Sequence, residues 1–376
     1  FTDKYYSFLN ESLSEVIQIK AFGLENIVSQ RYKEYLKERL RILLKKEVLL
    51  QKIGFIRGGS GNIINVIILF IAGMSIVAGN MTIGMLVSFC SYMEKFFEAL
   101  SKIMELNLNK QEVVVSYERM NEILNSEKEE NNGIILKEPI QKIQFRQVIF
   151  GYKDNLVLKK IDLSIENPGL YSLVGSNGCG KSTIFKLLER FYECKVGKIE
   201  INQVPINKYS ASDLRNNIVY MPKKPFFLQG TIMDNLKLGQ NEISDLEVIE
   251  VCKKVGIHSD IQKLEKGYYE LIESGGENFS SGQKQKLGFV RVLLKKADIV
   301  LLDEVTSDLD GEAERQICNQ IEEIAKKAIV LNIAHKPESI RRSKKVFFIQ
   351  GGKIVAEGTH KALMKNCVDY KKIFAN

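Results

Sequence analysis

At 376 residues the chain is longer than one hydrophobic core usually organises, and at 45% hydrophobic content any membrane-embedded portion must be a minority of it. A formal net charge of +8 permits an anionic partner without choosing among nucleic acid, lipid headgroup and nucleotide. Cys90, Cys179, Cys194, Cys252, Cys318 and Cys367 stand singly, with no C-x-x-C pair and no histidine at metal-ligand spacing, which reads as reduced thiols and no zinc site.

The opening FTDKYY carries neither an initiator Met nor a secretory pattern, so the chain reads as a piece of something longer. Residues 1–57 and 94–125 are dense in Glu, Lys, Leu and Ile, lack Pro, and have Gly only at 23 and 54, which predicts long helices. Between them, 58–93 holds no charged residue. A span needs about 20 mostly apolar residues, so this run predicts a membrane hairpin over about 58–106, turning at Gly79-Asn80-Met81-Thr82. A buried helix pair is the alternative. Arg39, Arg41, Lys45, Lys46, Lys52 and Arg57 before the run, and Lys95, Lys102 and Lys110 after it, put both ends on the cytoplasmic side of a lipid bilayer.

Residues 126–140, charged and closed by Gly133 and Pro139, read as a linker. From 141 to 376 short apolar runs alternate with helical ones. Segments 143–150, 170–175, 299–303, 328–334 and 345–358 read as strands, and IVLL and AIVLNI suit strands buried on both faces of a mainly parallel sheet. The predicted fold class is an all-α transmembrane helical region (1–125, a partial membrane domain) followed by an α/β P-loop NTPase domain.

The chemistry begins with Gly175-Ser176-Asn177-Gly178-Cys179-Gly180-Lys181-Ser182, a G-x-x-x-x-G-K-[ST] loop between a predicted strand and the helical run that opens at Thr183. Glycines let backbone N–H groups wrap a phosphate chain, Lys181 reaches the β and γ phosphates, and Ser182 can ligate magnesium. IVLLDE supplies a second carboxylate site: Asp303 would hold Mg2+ through water, and Glu304 would act as general base on the attacking water. Farther on, Ser280-Ser281-Gly282-Gln283 precedes a basic amphipathic run, the pattern of an anion site at a helix N-terminus.

A P-loop, an FSSGQ block, then LLDE, TSDLD and a later AH together resemble the nucleotide-binding domain of ABC transporters. Residues 1–125, with ESLSEVIQIKAFGLE, MTIGMLVSF and YERMNEIL, resemble the second part of the membrane domain in exporters of that family whose two domains share one polypeptide. The resemblance implies ATP and Mg2+ as ligands, a second exporter subunit as partner in a homodimer or heterodimer, and an exported peptide, lipid or drug. It places residues 21–26 near the helix that docks on a nucleotide-binding domain. Tyr152 would stack on adenine. Ser280, Ser281, Gly282 and Gln283 would meet the γ phosphate of ATP held by the opposite subunit. Asp310 would end the D-loop, and His335 would reach the γ phosphate, joining Glu304 and Lys181 as catalytic residues.

Three positions depart from the family pattern. Ser281 and Phe279 replace the usual Gly and Leu of the signature. Lys223, in YMPKKPFFLQG, stands where the family has a glutamine that approaches magnesium and the attacking water. Lysine has three donors and no acceptor, so it cannot ligate a metal as an amide oxygen does. It can nevertheless stay near the nucleotide, because a cation ~4 Å from one excess negative charge gains about 4 kcal/mol at an effective dielectric of ~20, before desolvation. The expectation is retained ATP binding with altered hydrolysis or coupling. The leading reading is an ATP-hydrolysing exporter subunit, and the alternative is a catalytically weakened partner in a heterodimer. A soluble ATPase of this type acting on nucleic acid lacks a long uncharged hairpin, so no nucleic-acid partner is expected.

Overall fold

The computed structural model describes residues 2–125, 129, 131, 133–240, 242–334 and 336–374. It divides into two units, residues 1–126 and 127–376. The first is helical: α1 (Thr2–Ser14), α2 (Val16–Ala21), α3 (Glu25–Val77) and α4 (Ile83–Leu124). Gly23, at φ +62, ends the run after α2, whereas Gly54 lies within α3 without interrupting it. The break between α3 and α4 falls at the expected turn, where Gly79 takes φ +76 and Thr82 caps α4 by accepting from the Met85 N–H at 3.2 Å. Close to the first helix, the Arg39 guanidinium covers the Tyr5 ring at 4.8 Å, and the Tyr5 and Tyr32 hydroxyls meet at 3.2 Å.

Most of the apolar side chains on α3 and α4 are exposed, among them Val66, Phe70, Met74, Val87 and Phe96. Among the described residues no helix is long and apolar enough to cross a membrane.

Among its described residues the second unit has twelve strands: β1 (Lys142–Tyr152), β2 (Asn155–Glu166), β3 (Gly169–Gly175), β4 (Val196–Ile201), β5 (Val204–Pro205), β6 (Ile218–Met221), β7 (Gly230–Thr231), β8 (Leu271–Ile272), β9 (Ile299–Asp303), β10 (Ile329–Ile333), β11 (Lys345–Gln350) and β12 (Lys353–Gly358). A six-stranded sheet runs β12-β11-β3-β10-β9-β6 and is parallel except at its β12 edge. Every residue of β9 and β10 is buried. Their side chains alternate between two cores: Val300, Leu302 and Val330 join one, and Ile299, Leu301, Ile329 and Leu331 the other. Helices therefore have to cover both faces, as a run of Val, Ile and Leu without polar alternation requires.

The predicted strand 143–150 is β1, and it joins a second, antiparallel sheet, β2-β1-β4-β5, whose other strands the apolar runs did not predict. The single predicted segment 345–358 is a hairpin, because Gly351 and Gly352 both adopt positive φ and turn the chain. On the linker side, Ile134 bridges Tyr209 and the Leu136 N–H donates to Asp213, so these linker residues belong to the second unit.

Candidate nucleotide site

The P-loop follows β3 at the carboxyl end of the parallel sheet, where open α/β sheets bind ligands. Helix α5 (Lys181–Leu188) begins directly behind it. Gly180 takes φ +104, and a Cβ there would come 2.5 Å from Leu158 Cδ2, so the bend admits only glycine. The buried Lys181 amine donates to the carbonyls of Gly175 at 2.8 Å and Ser176 at 3.0 Å, within the loop it is expected to serve. Cys179 is also buried, and that burial pushes its thiol above the usual range, so it packs rather than reacts.

Ser182 donates to Asp303 Oδ2 at 2.7 Å, joining the start of α5 to the end of β9. The same carboxylate oxygen accepts from the Tyr220 hydroxyl at 3.3 Å, and burial, ahead of the Asp303 charge, raises the Tyr220 phenol well above the ordinary value. A hydroxyl and a carboxylate in contact are hard oxygen donors, and magnesium typically takes one or two such protein ligands and completes its shell with phosphate and water. The donor set fits Mg2+.

Glu304 has left-handed backbone at φ +53, and its N–H donates to Ile333 of β10 at 3.0 Å. Its Oε2 accepts from the Lys223 amine at 2.5 Å. That hydrogen bond, and then the Glu304 charge, holds the Lys223 ammonium above the ordinary lysine range. Register explains the meeting: β6 runs beside β9 with Met221 opposite Leu302, so the residues that follow each strand emerge together.

Downstream of Lys223 the loop is pinned. The Arg291 guanidinium donates to the Phe226 carbonyl at 2.6 Å and lies 4.6 Å from the Phe227 ring, while buried Asn235 exchanges hydrogen bonds with Leu228 N–H and C=O at 3.0 and 2.8 Å. A Cβ on Gly288 would fall 2.7 Å from Pro225 Cγ, so the helix beneath needs a glycine there.

The signature residues lie at the start of the helix Ser281–Lys295. Ser280 accepts from the Gln283 N–H at 3.2 Å and donates its own N–H to Gln283 Oε1 at 3.0 Å, a reciprocal capping box that occupies the Gln283 side-chain oxygen. Ser280 and Ser281 are exposed, while Gly282 packs closely enough that a Cβ would meet the Asp308 carbonyl at 3.3 Å. Asp310 caps the next helix by accepting from the Ala313 N–H at 2.8 Å. Tyr152 is half-buried, 3.5 Å from the Thr183 hydroxyl through its own, with the Lys186 amine 5.4 Å from its ring centre. His335 lies outside the described residues.

Several supporting residues escaped the sequence reading. Besides Tyr220, Arg291 and Asn235, the buried Gln285 donates to the Ser307 hydroxyl at 3.1 Å and accepts from the Asp308 N–H at 3.3 Å, tying the signature helix to the TSDLD turn. Lys336 bridges the Thr306 carbonyl and Glu314, each at 2.9 Å. A lone Gln or Lys carries no motif, and only the three-dimensional pairing reveals these roles.

The sheet, loop and carboxylate geometry define a P-loop nucleotide-binding domain preceded by a helical region. Comparison with known proteins agrees: residues 158–307 match the ABC transporter family, and residues 1–100 match the ABC transporter transmembrane region. The chain is 28% identical over 370 residues to an ATP-dependent lipid A-core flippase of Syntrophus aciditrophicus, covering 98% of this chain and 62% of that protein. It is 32% identical over 380 residues to a Rickettsia bellii protein named for export ATP-binding/permease function, covering 98% and 65%. A solved bacterial Atm1-family ABC exporter with ATP bound superposes with a TM-score of 0.88 at 25% identity, over 99% of this chain and 66% of the other. The chain belongs to the ABC transporters of exporter type, in which membrane region and ATPase domain are fused. It spans a little under two thirds of the length of the two curated relatives.

Proposed function

We propose that this chain binds and hydrolyses ATP as one subunit of an ABC exporter, coupling ATP-driven association of two nucleotide-binding domains to movement of a substrate across a membrane. The observation that carries this reading is the 2.7 Å contact of Ser182 with Asp303, which joins the phosphate-binding loop to a strand end whose next residue is Glu304. Loop N–H groups and Lys181 bind the phosphates, and Ser182 with Asp303 would hold Mg2+. When bound, the metal neutralises charge on the β and γ phosphates. Glu304 takes a proton from water as the water oxygen bonds to the γ phosphorus, and the bond from that phosphorus to the ADP oxygen breaks. The products are ADP and inorganic phosphate.

The helical hairpin, its exposed apolar side chains and the match of residues 1–100 to a transmembrane region support a multi-pass membrane placement with the ATPase unit in the cytoplasm. The test is extraction: release by detergent and not by high salt supports the placement, and release by salt alone counts against it. One relative is named for lipid A-core and another for lactococcin-G transport, so lipid and peptide are the cargo classes to assay first. For the chemistry, Glu304→Gln should lower ATP turnover by about a hundredfold or more while ATP still binds. Parental turnover in that variant would remove Glu304 from the base role.

One observation favours a second reading, a catalytically weakened partner in a heterodimer: Lys223 engages the carboxylate that hydrolysis requires. Steady ATP turnover by the purified homodimer would decide against it.

A further inference from the structure

The Lys223–Glu304 pair raises the question of what breaks it. The two side chains differ in freedom. Glu304 is 17% exposed and its backbone is fixed in the left-handed region, whereas Lys223 is 54% exposed on a long flexible stem. Behind Lys223, the loop is held by Arg291, Asn235 and the packing of Pro225 on Gly288. A small displacement of the ammonium therefore costs no backbone rearrangement, while a displacement of Glu304 would. Among the described residues the carboxyl groups that act on Lys223 are those of Glu304, Asp308 and Asp303. A terminal phosphate is a stronger anion with three oxygens, and Asp303, one residue before Glu304, contacts Ser182 of the phosphate-binding loop.

We propose that Lys223 exchanges partners: it pairs with Glu304 when the third phosphate of the nucleotide is absent and with that phosphate when ATP is bound. Lys223 thereby stays on the base until the substrate itself draws the ammonium away. Glutamine at this position has no charge to exchange, so the device belongs to the lysine. The inference rests on the reading that ATP is the substrate of this site.

The test is a double-mutant cycle on equilibrium binding, with the full chain as parent, Lys223→Gln, Glu304→Gln and the double variant, titrated with the non-hydrolysable β,γ-imido analogue of ATP and with ADP. The readout is selectivity for the triphosphate over the diphosphate, which does not depend on turnover. Discounted for the exposure of Lys223, Glu304→Gln should raise that selectivity about fivefold by freeing the ammonium, and Lys223→Gln should lower it by a similar factor. In the double variant the gain from Glu304→Gln should vanish, and Lys223→Arg should behave as the parent. ADP affinity within about twofold of the parent, or about 0.4 kcal/mol, in every variant shows an intact fold. Selectivity unchanged by Lys223→Gln, or a Glu304→Gln gain that persists without Lys223, overturns the exchange alone. If the parent and its variants bind neither nucleotide, the ATP reading falls and takes the exchange with it.

Discussion

The two halves of the candidate nucleotide site are built differently. On the P-loop side Lys181, Thr183 and Asp303 are buried, at 6–8% exposure, and their partners lie within the same chain. On the signature side Ser280 and Ser281 are exposed, and the polar groups there cap their own helix. The difference teaches that a single chain completes one half and leaves the other as a surface. A buried half must satisfy its polar groups at folding, because an unmet buried donor costs about 1–3 kcal/mol. An exposed half can wait, since water serves its groups until, on the function proposed above, a phosphate and a second domain arrive.

The largest effect should come from the buried half. Lys181→Ala removes the donor to Gly175 and Ser176 as well as the proposed phosphate ligand, so ATP affinity should fall by about a hundredfold, equivalent to roughly 3 kcal/mol. Calorimetric titration would check it. An affinity within about threefold of the parent would mean that the loop backbone alone holds the phosphates, and the comparison would fail at its strongest point.

A smaller effect concerns the ground beneath the loop. Glu189, the residue that ends α5, is almost fully buried, and that burial raises its carboxyl to about 7, against opposing attraction from Lys295 and Arg215. Since the folded value lies above the unfolded one, its contribution to stability is fully present below about pH 4.5 and is lost as pH rises through about 7. Glu189→Gln, which does not titrate, should therefore hold its melting temperature between pH 5.5 and 8 better than the parent. At pH 8 the variant should be more stable by about 2 kcal/mol. Parallel pH profiles of melting would show that Lys295 fully compensates the buried charge.

How much of this was legible in the sequence follows the same division. The loop at 175–182 and the end of IVLLDE are written in adjacent residues, and strands that read as unbroken apolar runs, β9 and β10, emerge where the runs lie. Strand β2 reads NLVLKKIDLSIE: one face buries Leu158, Ile161, Leu163 and Ile165, and charged residues interrupt the pattern, so this strand was not foreseen. Lys223 was legible only as a departure from a resemblance. Its partner was not, because the pair spans 81 residues and depends on β6 adding beside β9, a matter of strand order that no local pattern carries. Gln285 and Arg291 were hidden for the same reason: each acts through a backbone group or side chain distant in sequence.

The smallest predicted effect separates a cap from a contact on the exposed half. Ser280 begins the helix Ser281–Lys295, and its hydroxyl accepts from the Gln283 N–H at 3.2 Å, so Ser280→Ala should cost about 1 kcal/mol of stability whatever else the residue does. Ser280→Asp keeps a good cap and adds a negative charge at the helix N-terminus, so stability should stay within about 0.5 kcal/mol of the parent. If this surface meets a phosphate held by a second domain, that same charge repels it, and ATP-dependent association of the domains should weaken by about tenfold while melting is unchanged. If Ser280 only caps its helix, the Asp variant associates as the parent does and the Ala variant is the worse of the two. Light scattering with and without ATP, read beside thermal melts of both variants, distinguishes these orders, because capping and phosphate recognition rank Ala and Asp oppositely.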